Sequence, residues 1–455
     1  MRQIPEVILS RCSTREALIG GKTASYARPS LCRTANLISL ALLGLFLVSI
    51  VVSLTTVELD AEVPLTPTLE AIVGTTLIAC LLPTFLLARF SFGYIVSVAF
   101  YGLIAGFIWL SYFTFSEYDH AMARWSAIGS LFAFSIPALF QTMTARRTIV
   151  LTPEAMDLLL KIALGAAVAV LGLSIPYGFA FVGIPEAERL RSSFSRPDLL
   201  NYVTNILIYA VLPFSFAFFA QRRCNLMAAA SLLLIFLFYP ILLNKTVLFA
   251  AGWLPFVFFI FRAFEAKQAS VLSLIIPLLS GLLLYCVALW VGGSNGEFVK
   301  LGFGYVNGRM FAVPSIAMDY YADFFATNPH TYFCQINIVR AIAGCPYSDQ
   351  LGVIFSDRYH LGNLNASLFA TEGIASVGLR WAPVAAFFCG LLLSLGNSLS
   401  RHLPASLIAA SAGLSIQALL NVPLSTSLLT HGLMVLFLLW HICPDIKTPV
   451  RSPFV

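Results

Sequence analysis

Asp319 and Asp323 stand four residues apart, the interval that sets two carboxylates on one face of a helix, and Glu372 follows Asn363, Asn365 and Ser367 farther along. A carboxylate takes a proton from an attacking hydroxyl once burial or a neighbouring charge tunes its pKa. His330, in Asn328-Pro329-His330, is a base by type, although a histidine so placed is more often structural. Cations suited to an anionic ligand occur at Arg189, Arg191 and Arg196 within 179–201, at Lys245 in Asn244-Lys245-Thr246, and at Arg309 in Tyr305-Val306-Asn307-Gly308-Arg309. A planar guanidinium matches phosphate geometry, whereas an ammonium acts as a point charge. For each cation, ordinary pairing with Glu186, Glu188 or Asp198 is an equal expectation, and for Lys245 the rival is a side chain that snorkels to lipid headgroups.

Other chemistries leave little trace. Glu58-Leu59-Asp60 and Glu117-Tyr118-Asp119 are acid-x-acid pairs able to offer oxygen to Mg²⁺, but acidic outer loops arise from membrane topology alone, and that is the reading adopted. The chain has no Gly-rich phosphate loop, C-x-x-C, H-E-x-x-H or G-x-S-x-G.

What must position these residues is a membrane bundle. Of 455 residues, 59% are hydrophobic and 11% charged, against roughly a quarter charged in a soluble domain. Apolar runs long enough to cross ~30 Å of hydrocarbon as helices occupy 35–56, 71–88, 93–115, 125–144, 157–178, 202–220, 224–243, 247–261, 269–291, 381–399, 404–420 and 427–443. The runs are continuous rather than alternating, which excludes a barrel and leaves an all-α polytopic protein of about twelve spans. Every second span ends at a basic cluster: Arg89, Arg146 with Arg147, Arg222 with Arg223, Arg262 with Lys267, Arg401, and Lys447 with Arg451. By the positive-inside rule those ends are cytoplasmic, as are both tails, 1–34 and 444–455. The first 34 residues read as a tail leading into an uncleaved anchor. The net charge of +6 then answers an anionic inner leaflet and needs no nucleic acid.

Between the blocks 35–292 and 381–443, residues 293–380 form one long outer connection, mixed and aromatic in composition, expected to fold as a small, partly re-entrant cap with one or two helices. Cys334 and Cys345 are the two of nine cysteines placed in an outer loop; in an oxidising compartment a disulfide is expected, closing a short ring for ~3 kcal/mol of chain-entropy stabilisation. Span interiors offer no acid for a proton relay, and Lys161 sits where it can snorkel.

Gly308-Arg309 followed by Pro314, the run Asp319-Tyr320-Tyr321-Ala322-Asp323-Phe324-Phe325, Asn328-Pro329-His330, and Asn363-Leu364-Asn365-Ala366-Ser367 with Glu372-Gly373 resemble the bacterial oligosaccharide repeat-unit polymerases, the Wzy-like O-antigen polymerase family. The family pattern has Ala at the position of Leu364 and Asp at that of Glu372, so the carboxylate here is one methylene longer. The resemblance implies a C-type glycosyltransferase-like architecture in the bacterial inner membrane. It implies substrates that are glycans linked to undecaprenyl diphosphate, joined at the periplasmic face, with a chain-length regulator and a flippase as companions. On that footing Arg309 and Lys245, supported by Arg191 and Arg196, bind diphosphate. Glu372 or Asp319 is the base, and Asn363, Asn365 and His330 meet sugar. The scheme calls for no metal and no cofactor. Rivals are an O-antigen ligase, a lipid-linked-sugar flippase or other transporter, and a metal-dependent transferase built on the acid-x-acid loops.

The unbroken alternation of basic loops generates the first prediction. Reporter fusions at Gly296 and Ser398 should report opposite sides of the membrane; the same side for both overturns the arrangement.

Overall fold

The computed structural model describes residues 29–56, 68–114, 116–141, 147–190, 193–359 and 368–446. Among them no strand occurs, and ten helices are long and apolar enough to cross a membrane. These are α1 (Ala35–Thr56), α2 (Leu69–Leu87), α3 (Phe92–Leu110), α4 (His120–Phe140), α5 (Pro153–Tyr177), α6 (Asp198–Gln221), α7 (Asn225–Leu242), α8 (Lys245–Ala263), α9 (Ala266–Val291) and a tenth span, Thr371–Ser400. Two shorter apolar helices, Ala405–Leu419 and Leu433–Ile442, lie in the last two expected spans. The short run 247–261 gains four residues as α8, because the Asn244 side chain caps it by accepting from the Thr246 N–H at 3.0 Å.

Helix α3 is the axis of the bundle, with every residue from Phe92 to Leu110 buried. Small residues let its neighbours come close, as expected where lipid supplies no hydrophobic drive between helices. A Cβ on Gly102 would meet Phe46 and Phe311 within 2.8 Å, and one on Gly106 would meet Ser315. Asn397 accepts from the Gly93 N–H at 2.7 Å and donates to the Ala138 carbonyl at 2.8 Å, tying three helices together. Around this core the outer faces carry exposed Leu45, Val48, Leu158, Ile162, Phe259 and Phe388 toward lipid.

After α9 the chain continues as α10 (Gly293–Phe303), a π-helical stretch (Gly304–Ala312) and α11 (Val313–Thr327). This rod goes back into the bundle. Ser315 donates to the Leu103 carbonyl at 3.1 Å, and Leu103 lies about 10 Å short of the end of α3 at the helical rise. Asn307 is fully buried; it donates to Ser53 at 2.7 Å and to the Leu278 carbonyl at 2.9 Å. Part of the expected outer loop is therefore a re-entrant wall shared by α1, α3 and α9.

The rest of the cap has its own core. Helices α12 (Asn337–Ala343) and α13 (Leu351–Tyr359) follow, and Tyr321 of α11 stacks on Phe355 of α13 at 4.3 Å, beside Phe324, Phe325, Ile374 and Ala375. Cys334 and Cys345 are bonded, with Cα atoms 5.3 Å apart. Helix α14 (Leu368–Ser400) begins before the expected start of its span at 381 and breaks at Gly378, where φ is +78°. A Cβ on Gly373 would touch the Cα of Ala382 at 2.8 Å, although nine residues of straight helix span about 13 Å. The break leaves carbonyls without helical partners, and the 331–332 turn supplies donors: Thr331 N–H to Ala375 at 2.8 Å and Tyr332 N–H to Ser376 at 3.1 Å. Beyond it, α14 packs along α4 so closely that a Cβ on Gly390 would strike the Phe134 carbonyl. The last described helices are α15 (Ala405–Leu419), α16 (Leu424–Leu429) and α17 (Leu433–Ile442).

One expectation is revised at the opposite end of the molecule. Lys161 does not simply snorkel: it pairs with Asp157 at 2.6 Å, and Arg222 approaches the same carboxylate at 3.8 Å.

Because a Cβ on Gly281 would lie 1.7 Å from the Asn307 Oδ1, Gly281→Ala should lower thermal stability by about 1–3 kcal/mol. Adding Asn307→Ala should restore part of that loss. A double variant no more stable than the sum of the singles shows that the two sites do not touch.

Candidate functional site

The π-helical stretch around Arg309 has a local cause. Pro314 has no N–H, and its ring would collide with the carbonyl four residues back. The backbone widens instead, so that the Val313 N–H bonds to the Gly308 carbonyl five residues earlier. The same device recurs in α6, where Leu207–Val211 is π-helical, the Leu212 N–H reaches Leu207, and Pro213 follows. There the carbonyl that Pro213 strands, on Tyr209, accepts from Ser415 Oγ at 2.8 Å.

These two wide turns carry the polar side chains of the site. In the first, Tyr305 and Arg309 are about one turn apart and share a face. The Lys245 ammonium sits over the Tyr305 ring, 4.6 Å from its centre, a favourable cation–π geometry. Arg309 is exposed, and no described acid lies within ion-pair distance of it. In the second turn, the Tyr209 hydroxyl accepts from Asn244 at 3.3 Å and its ring meets His431 edge-on at 4.6 Å. Asn244 is the residue before Lys245, so the two turns meet at the start of α8.

The carboxylates are held elsewhere. Asp319 is only 5% exposed and accepts from Thr114 at 2.7 Å, from Ser116 at 3.1 Å and from Tyr118. Burial raises its pKa above the ordinary carboxylate value, and the hydroxyl donors oppose that rise without cancelling it. The Tyr118 phenol is pushed up in turn, by its burial and then by the adjacent Asp319 charge. Asp323 accepts from Tyr359 at 2.7 Å. Glu372 accepts from the Leu424 N–H at 3.0 Å through Oε2, and no described residue bonds its other oxygen.

The remaining expected residues divide. His330 sits over the bare Cα of Gly378, where a Cβ would be 2.8 Å from its Nε2. Arg196 is half-buried beside the start of α6, its carbonyl accepting from Asn201 at 3.2 Å. Arg191, Asn363 and Asn365 lie outside the described residues. Asp119, from the second acid-x-acid pair, caps α4 by accepting from the Met122 N–H at 2.9 Å. Among the described residues no three His, Cys, Asp or Glu side chains converge as metal ligands.

The structure sets Lys245 over Tyr305, on the face that Arg309 shares; sequence reasoning gives no role to Tyr209, Tyr305 or the hydroxyls around Asp319, and it reads His431 as a packed or interfacial histidine, as its contact with Tyr209 bears out. The readable signals were Pro213 and Pro314 inside apolar helical runs, and Tyr118 between two acids. Compared with known protein families, curated proteins and solved structures, the chain matches none.

Asp319 yields a pH prediction. With its pKa raised in the folded state, its stabilising contribution is complete below the unfolded value of ~3.9 and is lost as pH rises through the folded value. Measured against Asp319→Asn, the wild type should therefore be relatively more stable at pH 4 than at pH 7. Asp319→Leu, which leaves three hydroxyls without an acceptor, should cost at least ~1–3 kcal/mol at either pH. Equal pH profiles for wild type and Asn variant refute the assignment.

Proposed function

We propose that the protein is a glycosyltransferase that polymerises oligosaccharide repeat units carried on undecaprenyl diphosphate, at the periplasmic face of the bacterial inner membrane. The observation that carries this reading is Arg309: exposed, without an acid partner, on a π-helical turn whose Tyr305 holds Lys245. The motif resemblance around it supports the same reading.

The reaction needs three things of such a site. The bond between the donor's anomeric carbon and the diphosphate oxygen breaks as the acceptor hydroxyl oxygen bonds to that carbon. Negative charge grows on the departing diphosphate, where a fixed guanidinium and ammonium in a place of low dielectric stabilise it most. The acceptor proton passes to a carboxylate. Of the two candidates Glu372 suits this better, since it keeps one oxygen without a described partner, whereas Asp319 is enclosed by three hydroxyls. Arg191 and Arg196 assist with diphosphate, and Asn363, Asn365 and His330 bind sugar. A chain-length regulator and a flippase are the companions this role entails.

Deletion of the gene followed by gel analysis of surface polysaccharide tests the reading. A polymerase defect leaves a single repeat unit attached, a ligase defect leaves none, and a normal ladder rejects both. At residue level, Arg309→Ala should lower turnover ~10²-fold or more while protein abundance stays normal. Arg309→Lys should rescue partly, keeping the charge without the planar two-point contact. Normal chain length from Arg309→Ala at normal abundance removes Arg309 from the mechanism.

A further inference from the structure

The break in α14 opens a cavity of about 230 Å³ between the cap and the bundle. Its walls are the end of α11 (Ala322, Phe325, Ala326), His330, Met122 at the start of α4, and Ile374 with residues 377–380 around the bend. The Phe325 and His330 rings lie 5.9 Å apart along one side. Arg380 is also in the lining, exposed and with no described partner. No acid lines the space. Gly378 makes it possible: its φ of +78° creates the bend, and its missing Cβ leaves room for the His330 ring.

An apolar cavity of ~150 Å³ accepts one six-membered ring, so this one has space for a ring with its substituents. Flat aromatic walls suit the C–H face of a sugar, and a lone guanidinium in the same lining suits a carboxylate. We propose that the cavity is a subsite for one acidic monosaccharide, a hexuronate, of the lipid-linked glycan. The assignment rests on the glycan-polymerising reading above and deepens it by naming a substrate class. A lipid phosphate headgroup shares the charge but lacks the ring that the aromatic walls would hold.

The test uses the full chain in nanodiscs, with methyl glucuronide, methyl glucoside and glycerol phosphate as probes read by saturation-transfer NMR. Methyl glucuronide should give a signal that falls at least tenfold in Arg380→Gln, which loses the charge. It should fall equally in Ala326→Trp, which fills the space, provided both variants melt within a few degrees of wild type. The Arg309→Ala variant should keep the signal in full. Absence of a glucuronide signal, equal binding of the uncharged glucoside, or equal binding of glycerol phosphate overturns the proposal. A normal polysaccharide ladder in the deletion strain together with glucuronide binding lost in Arg380→Gln would reject the polymerase reading and leave the sugar site standing.

Discussion

A backbone carbonyl that loses its helical partner inside a membrane bundle has no water to turn to, and leaving it bare costs several kcal/mol. The prolines of this chain create that problem repeatedly, and its site grows from the solutions. Pro213 strands the carbonyl of Tyr209, which Ser415 takes; Pro383 strands that of Leu379, which Ser126 takes at 2.6 Å. Before Pro314 and Pro213 the helix also widens into a π turn. Each repair fixes a side chain that a straight helix would have pointed elsewhere. Tyr209, Tyr305 and Arg309 owe their positions to backbone bookkeeping rather than to direct contact with one another.

The charged groups sort by the same constraint. Deep in the protein, Asp319 is surrounded by hydroxyls, which satisfy a carboxyl whether or not it carries a proton, because each hydroxyl both donates and accepts. An arginine in that position would fix the acid as an anion. The described cations Arg309 and Arg380 instead stand exposed without acids. At these two positions positive charge is left uncompensated on the surface, unlike Lys161 and Arg222 beside Asp157, which raises the affinity for anions there.

Much of the fold was legible in the sequence because lipid makes hydrophobic length decisive. The runs at 35–56 and 269–291 reappear as α1 and α9 almost unchanged. The long loop was legible as a helical, partly re-entrant cap, but not which of its residues enter the bundle. Residues 304–312 are polar by membrane standards, and only the shape of the groove between α1, α3 and α9 shows that Asn307 belongs inside it. Likewise Gly378 looks like any glycine in an apolar stretch, and its left-handed conformation is set by the fit of His330 and the 331–332 turn. At the site, residue type alone pointed to Arg309 and Lys245, since basic residues run against the positive-inside rule in a loop expected to lie outside. It could not rank the carboxylates, because what separates Glu372 from Asp319 is which neighbours surround each one.

The bend at Gly378 joins these threads. It turns the first third of α14 into the cap's own core, so Ile374 and Ala375 pack with Phe324 and Phe355 rather than with lipid. It also sets Glu372 where the Leu424 N–H holds one oxygen, and it hollows the cavity between Phe325 and Arg380. A β-branched or larger residue at 378 would oppose the φ of +78° and displace His330 together. The helix would then straighten, the Ala375 and Ser376 carbonyls would recover helical partners, and the 331–332 turn would lose its anchor. Carboxylate, cavity and cap are therefore coupled through one residue that has no side chain, and none of the three can move without the others.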